Sequence, residues 1–216
     1  MTPVLPAFAG YVPANFPLHF PNSSYHKQYW NKFGPTVMLD PKDKLFEAIG
    51  AQFIREYTRE FGESDHVYNT DAFNEIHLDN NSTDFIRESG AAVFNAMTSV
   101  DPQAVWVMQG WLFKEPFWTR DRAKALLQSV EVGAMIVLDL DSTYDEHYSE
   151  LDSYFGQPFI FNDLNNFGGN VGLFGRIQAI NLKVFEARNR CVYGAHSIEM
   201  KHTLLMSCFW AEYSQF

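Results

Sequence analysis

Apolar residues along the chain switch repeatedly between helical and strand spacing. Leu45, Phe46, Ile49, Phe53, Ile54, Tyr57 and Phe61 recur at three- and four-residue steps, which predicts a helix with one buried face. Asp40 suits the N-cap of that helix, Pro41 its first position and Gly62 its stop. Val67 to Phe73 then reads as a strand delivering Asn74 and Glu75 to its C-terminal edge. Ser82 or Thr83 can cap a second helix containing Phe85, Ile86, Val93, Phe94 and Met97, ended by Asp101-Pro102. Ala104 to Met108 is the next strand, leading into Gln109-Gly110-Trp111, and a third helix starts near Thr119. Met135 to Leu140 and Phe159 to Asn162 are continuous apolar strands, the second followed by the Gly-rich turn Asn165 to Asn170. Val4 to Phe8 offers a fifth strand.

Strands alternating with helices imply βαβ units and a parallel sheet. Each strand ends in a polar or aromatic cluster: Asn74-Glu75, Gln109-Gly110-Trp111, Asp139, and Asn162-Asp163. Functional groups gathered at the carboxyl ends of parallel strands fit a (β/α)8 barrel or a doubly wound sheet. Neither G-x-G-x-x-G nor G-x-x-x-x-G-K-[ST] occurs, so no nucleotide fingerprint is present. A complete (β/α)8 barrel takes about 250 residues. On the barrel reading, the four to five parallel strands with helices form an incomplete (β/α)8 TIM barrel in an α/β chain, with strands missing on one or both sides. Beyond about Leu182 the pattern is lost, and Met206 to Trp210 is either a short strand or an exposed apolar end.

The formal charge of −10 argues against a nucleic-acid or anionic-membrane partner. A polyanionic substrate would be repelled at neutral pH, and less so where carboxylates begin to protonate. No run of about 18 apolar residues suggests a membrane span, and the first residues lack the basic and apolar regions of a signal peptide. Cys191 and Cys208 support neither a disulfide framework nor a metal site. His66, His77, His147, His196 and His202 do not fall at ligand spacing, so no metal is expected. The N-x-[ST] pattern occurs at Asn22, Asn80 and Asn81 and matters only in a secretory compartment. Aromatic residues make up 16% of the chain; a Phe-rich core accounts for most of them, and rings that stack on sugar faces are the sharper alternative.

Glu75 carries the candidate chemistry. An Asn-Glu pair at the C-terminal end of a parallel strand is where many barrel glycosidases hold a proton donor, and such enzymes need a second carboxyl group from another strand. Taken alone, Glu75 is most simply an exposed carboxylate at a strand end. Asp139 reads as a buried structural hydrogen-bonder, the Asn165 to Asn170 segment as a tight backbone turn, and Asp43, Glu47, Glu60 and Glu63 as a solvated helix face.

Several long blocks together change the weight of Glu75. They are Met1 to Gly10, Asp71 to Glu75, Ala104 to Phe113, Ile136 to Leu140, Gly156 to Ile160, Asn165 to Asn170 and Gly172 to Gly175. In this order they resemble the α-N-acetylglucosaminidases of glycoside hydrolase family 89. The resemblance covers residues 1–181, expected to be part of a TIM-barrel domain, and leaves 182–216 as an unassigned, divergent tail. It implies a lysosomal hydrolase that removes terminal α-linked N-acetylglucosamine from heparan sulfate by a retaining mechanism. Glu75 then matches the family's general acid/base. Asn74, Trp111, Leu140, Leu164 and Phe167 match positions lining the sugar pocket. Trp30 corresponds to a further pocket tryptophan, although Tyr29 to Phe33 departs from the family pattern.

The family's nucleophilic glutamate lies downstream, in a Gly-rich stretch ending Glu-Gly. Nothing from Arg176 to Phe216 matches it, and Glu186, Glu199 and Glu212 lack the expected neighbours. The expectation is a barrel portion holding the acid/base without its partner, inactive in isolation. The alternative is a non-catalytic carbohydrate-binding or interaction protein derived from the same barrel. No cofactor is implied, because two carboxyl groups suffice for the reaction.

Overall fold

Five short strands form a parallel sheet whose order follows the chain, as successive right-handed βα crossovers require. In the computed structural model, which describes residues 3–30, 33–63, 65–140, 142–143, 145–162 and 177–190, the chain begins with β1 (Leu5–Pro6), β2 (Tyr11–Val12) and α1 (Phe16–His19). Next come β3 (Tyr25–Trp30), β4 (Phe33–Leu39), α2 (Lys44–Phe61), β5 (Val67–Asn69), β6 (His77–Leu78) and α3 (Thr83–Thr98). Then follow β7 (Val105–Gln109), a 3-10 turn (Gly110–Lys114), α4 (Arg120–Leu127) and β8 (Met135–Asp139). The described part closes with α5 (His147–Glu150), α6 (Asp152–Phe155), β9 (Phe159–Phe161) and α7 (Ile177–Arg190).

The parallel sheet runs β1-β5-β7-β8-β9, with Tyr68 opposite Trp106 and Val107 opposite Ile136. It is an open segment of a TIM barrel, with β1 at one edge and β9 at the other. The fifth strand expected near Val4 to Phe8 is β1. A second, antiparallel sheet runs β2-β4-β3-β6. The helix–strand alternation does not point to this sheet, because its strands lie within the β1-to-α2 connection and just after Glu75.

Helices α2, α3 and α4 cover one face of the parallel sheet through an apolar core that includes Phe46, Ile54, Ile86, Val93, Met97, Leu126, Met108 and Val137. Burying side chains of this size contributes roughly 1.5–3 kcal/mol each. Gly10 lies at a φ of +97°, and a Cβ there would come within 2.5 Å of the Phe46 ring. Only glycine allows that turn and that close approach together.

Two boundaries differ from the sequence expectation. The N-cap of α2 is Asp43, not Asp40, and Pro41 precedes the helix. Asp40 instead closes a turn: its carbonyl accepts from the Asp43 N–H at 2.9 Å, and its carboxylate accepts from the Lys42 N–H and meets His26 Nε2 at 2.7 Å. Asp43 is therefore more than part of a solvated face, since its two carboxylate oxygens accept from the Leu45 and Ser24 N–H groups, both at 2.9 Å. The second correction concerns the strand before Glu75. It ends at Asn69, and Ala72 to Glu75 form a turn beyond it. The third helix starts after Thr119 and the second is capped by Ser82, whose hydroxyl accepts from the Phe85 N–H.

Asp43→Ala removes both backbone caps and is expected to cost about 1 kcal/mol or somewhat more. Thermal or urea unfolding checks this, and an unchanged midpoint would show that water replaces the cap without loss.

Candidate active site at the carboxyl ends of the parallel strands

The chain leaves β5 at Asn69 and crosses the carboxyl end of the sheet before reaching Glu75. Three hydrogen bonds pin this crossing. The Trp106 indole N–H donates to the Thr70 carbonyl at 2.8 Å, and the Gln109 N–H donates to Asp71 Oδ1 at 2.8 Å. Tyr11 Oη lies 2.5 Å from the Ala72 carbonyl and 2.6 Å from Gln28 Oε1, so its single proton is shared between a turn of the barrel and the antiparallel sheet. Burial pushes the Tyr11 hydroxyl far above its ordinary range, which keeps it a donor.

Beyond these pins the backbone turns through Glu75, whose φ is +55°. A non-glycine residue in the left-handed region costs free energy and persists only when its surroundings hold it. The Glu75 side chain is exposed, and the Trp30 indole N–H donates to its Oε2 at 3.3 Å. The neighbouring Asn74 is half-buried, and among the described residues its Oδ1 is buried with no hydrogen-bond partner. Such an acceptor costs free energy unless a donor reaches it.

Trp111 sits in the 3-10 turn after β7, half-buried, with Lys114 Nζ 4.5 Å from the centre of its ring. Gly110 lets that turn press onto β8, since a Cβ there would meet the Leu138 carbonyl at 3.0 Å and Tyr154 Oη at 3.4 Å. Leu140 follows β8 and is half-buried. Asn74, Glu75, Trp111 and Leu140 thus lie at the carboxyl ends of three neighbouring parallel strands, where barrel enzymes keep their chemistry. Trp30 joins them from the antiparallel sheet. Leu164, Phe167 and the Asn165 to Asn170 turn lie outside the described residues, as do Cys191, Cys208, His196 and His202. The domain boundary expected at 181 falls within α7.

Two carboxyls, the half-buried Asp71 and the buried Asp139, flank this end of the sheet, and sequence reasoning singled out only one of them. Asp139, at the end of β8, is 2% exposed, as expected of a structural side chain. Burial pushes its carboxyl up to about 7, against the opposing influence of the Tyr154 and Ser142 hydroxyls, the Tyr148 N–H and the Lys114 ammonium. Asp71 was missed; burial pushes it up to about 6, against the Gln109 N–H that it accepts. Its position four residues before Glu75, just past a strand, was the available signal. Among the described residues no group of three or more His, Cys, Asp or Glu could hold a metal ion, and no helix is long and apolar enough to cross a membrane.

Both carboxyls titrate higher in the fold than in the unfolded chain, where Asp loses its proton near 4. Between about pH 4 and pH 7 the folded protein therefore holds more protons, so stability falls as pH rises through that window and levels off on either side. Unfolding midpoints measured from pH 4 to 8 should fall with pH, and Asp139→Asn should flatten the upper part of the slope. A stability maximum at pH 7 or above would contradict this.

Comparison with known proteins matches this geometry to one family. The family model "Alpha-N-acetylglucosaminidase (NAGLU) tim-barrel domain" matches residues 1–198. Human alpha-N-acetylglucosaminidase is 43% identical over 188 residues, which are 84% of this chain and 25% of the human protein. A family 89 glycoside hydrolase from Clostridium perfringens, solved in complex with PUGNAc, superposes with a TM-score of 0.74 at 24% identity, over 87% of this chain and 21% of its own. A doubly substituted form of the Clostridium perfringens enzyme, in complex with its substrate GlcNAc-alpha-1,4-galactose, superposes with a TM-score of 0.68 at 25% identity, over 80% and 19%. The chain thus spans about a quarter of the length of the human relative. With the family's barrel-domain model matched over residues 1–198 and Glu75 set beyond the carboxyl ends of the strands, this chain belongs to the α-N-acetylglucosaminidase family of glycoside hydrolases.

Proposed function

We propose that this barrel segment serves a retaining glycoside hydrolase that removes terminal α-linked N-acetylglucosamine from heparan sulfate, with Glu75 as general acid/base. The observation that carries this reading is Glu75 itself: an exposed carboxyl held at positive φ beyond the carboxyl end of β5, beside an Asn74 amide oxygen that has no partner among the described residues. In the first step the Glu75 carboxyl gives its proton to the glycosidic oxygen, the bond from that oxygen to the anomeric carbon breaks, and a second carboxylate attacks the carbon to form a covalent glycosyl ester. In the second step the Glu75 carboxylate takes a proton from water, whose oxygen replaces the ester oxygen and frees the sugar.

The remaining site residues divide the work of recognition. Asn74 Oδ1 accepts the N–H of the sugar's 2-acetamido group, and that donor would satisfy it. Trp111 and Leu140 form the pocket wall, Trp30 closes it from the antiparallel sheet, and Leu164 and Phe167 match the family's wall positions in sequence. The attacking carboxylate comes from sequence other than Arg176 to Phe216, where the family's Gly-rich Glu-Gly motif has no counterpart. The 216 residues alone are accordingly catalytically inert, and a full chain that includes the nucleophile is active.

A lysosomal setting suits this chemistry. The net charge of −10 opposes a sulfated substrate at neutral pH. That repulsion weakens in an acidic compartment, where carboxyls of the Asp71 and Asp139 kind are protonated.

In the full chain, Glu75→Gln is expected to lower kcat/KM on phenyl α-N-acetylglucosaminide by about 10²–10⁴-fold, the usual share of general acid catalysis. It should cost far less on the 2,4-dinitrophenyl glycoside, whose leaving group needs no proton. Equal losses on both would remove Glu75 from the acid role. Binding of N-acetylglucosamine without turnover by the full chain would identify a carbohydrate-binding protein instead.

Asn74→Ala should lower kcat/KM by about tenfold, the worth of roughly one hydrogen bond to a buried acceptor. The matching α-glucoside, which lacks the acetamido group, should not show that loss. Equal losses on both substrates would show that Asn74 does not read the 2-substituent.

A further inference from the structure

We infer that Trp30, braced by Phe33, is a positioning residue that sets which oxygen of the Glu75 carboxyl faces the scissile bond. This rests on Glu75 being the acid/base and adds a role for a residue otherwise placed in the pocket wall.

The argument begins with strand register. β3 pairs with β4 in regular antiparallel steps from Tyr25 opposite Leu39 to Gln28 opposite Thr36, and then slips, so that Trp30 pairs with Phe33. The extra residue is in β4, where Gly34 and Pro35 together face Tyr29, and such a bulge increases the local twist of the pair. Gln28 is 1% exposed, whereas Tyr29 and Trp30 are 41% and 42% exposed. Tyr29 and Trp30 are both exposed at this outer end of the pair, which leaves the indole outside the interior of the sheet.

What the indole meets there is Glu75. Its N–H lies 3.3 Å from Oε2, while its ring stacks on Phe33 with centroids 5.0 Å apart and planes 28° from parallel. Phe33 fixes the ring plane and offers no competing hydrogen bond. The two strands of chain that carry the pair are also stapled together. β6 begins two residues after Glu75 and pairs with β3, His77 opposite Tyr29 and Leu78 opposite Gln28. Acid and indole are thus held by one antiparallel ladder immediately beside the site, so their separation does not depend on a long loop.

The chemistry of the contact is directional. An indole N–H donates and cannot accept. It engages the carbonyl oxygen, the better acceptor, in preference to the hydroxyl oxygen, so it favours Oε2 as the unprotonated oxygen. The transferable proton is thereby favoured on Oε1, the oxygen left to face the glycosidic bond. In the second step the same donor steadies Oε2 while Oε1 takes the proton of water. A freely rotating carboxyl would spend part of its time with the wrong oxygen presented, and correct orientation is a known part of rate acceleration.

The test uses the full chain and a series of aryl α-N-acetylglucosaminides of equal shape and falling leaving-group acidity: 2,4-dinitrophenyl, 4-nitrophenyl and phenyl. Trp30→Phe keeps the ring and its stack on Phe33 but removes the N–H. Whatever uniform loss the altered pocket brings, it is expected to lose about tenfold more on the phenyl substrate than on the dinitrophenyl substrate, since only the former demands the acid. A uniform loss across the series, as from a damaged sugar platform or a disturbed fold, overturns the inference, and so does no loss at all. If Glu75→Gln itself shows no gradient, the acid/base assignment fails first. A gradient in Glu75→Gln without one in Trp30→Phe sinks the role of Trp30 alone.

A second measurement needs no turnover. With ¹⁵N-labelled tryptophan, the Trp30 indole proton resonance should move upfield in Glu75→Gln, where a neutral amide replaces the charged acceptor. The Trp106 indole, bound to the Thr70 carbonyl, should stay in place. An unmoved Trp30 resonance overturns the contact on which the inference stands.

Discussion

The hydrogen bond from the Trp106 indole to the Thr70 carbonyl is the constraint on which this end of the molecule depends. It lies at the point where the chain must leave the parallel ladder and still remain attached to it. Both partners are buried, so losing either would strand a polar group away from water. With Thr70 held, Asp71 is placed to accept from Gln109, and Ala72 is placed to accept from Tyr11. The turn that ends at Glu75 is therefore suspended between β7 on one side and the antiparallel sheet on the other. That suspension allows a glutamate to remain at a φ of +55°.

The antiparallel sheet gains a purpose from this arrangement. It is built from the connection after β1, and its fourth strand is the segment immediately following Glu75. The turn beyond a barrel strand carries Glu75, and the second sheet supplies the Trp30 indole that reaches it. Gln28, buried at the centre of β3, links to Tyr11 and to Met38 Sδ, and so ties the interior of that sheet to the same turn. Phe33 and Trp30 sit at its outer end, beyond the bulge.

Electrostatics follow the same geometry. The sheet end is lined by carboxyls that the fold desolvates, Asp71 and Asp139, and the chain as a whole is strongly acidic. Both features lose their cost as pH falls, because protonation removes charge from the interior and from the surface together. Lys114 in the 3-10 turn, set over Trp111 and paired with Asp145, tempers the rise of the Asp139 carboxyl.

Much of the barrel was legible along the chain because its signals are local. The helical spacing from Leu45 to Phe61, the Ser82 cap and the apolar runs at Met135 and Phe159 each report a single element, and those elements appear where the pattern puts them. The cap of α2 was misplaced because Asp40 and Asp43 both satisfy the local rule. A contact with Ser24, nineteen residues away, makes Asp43 the cap. The short strands β2, β3, β4 and β6 carry no clean alternation. β4 carries an extra residue opposite Tyr29 of β3 and β6 is two residues long, so pairing across the sheet defines them rather than composition.

By itself the sequence determined the parallel βα order, the arrival of Asn74 and Glu75 beyond β5, and the family blocks that give that glutamate meaning. Only the tertiary structure decided that Glu75 sits in a strained turn rather than on a strand, and that Trp30 reaches it. The physical reason is range. Periodicity and capping act over one helical turn, whereas the donor to Glu75 comes from forty-five residues earlier in the chain, and the bond exists only once two sheets have closed on one turn.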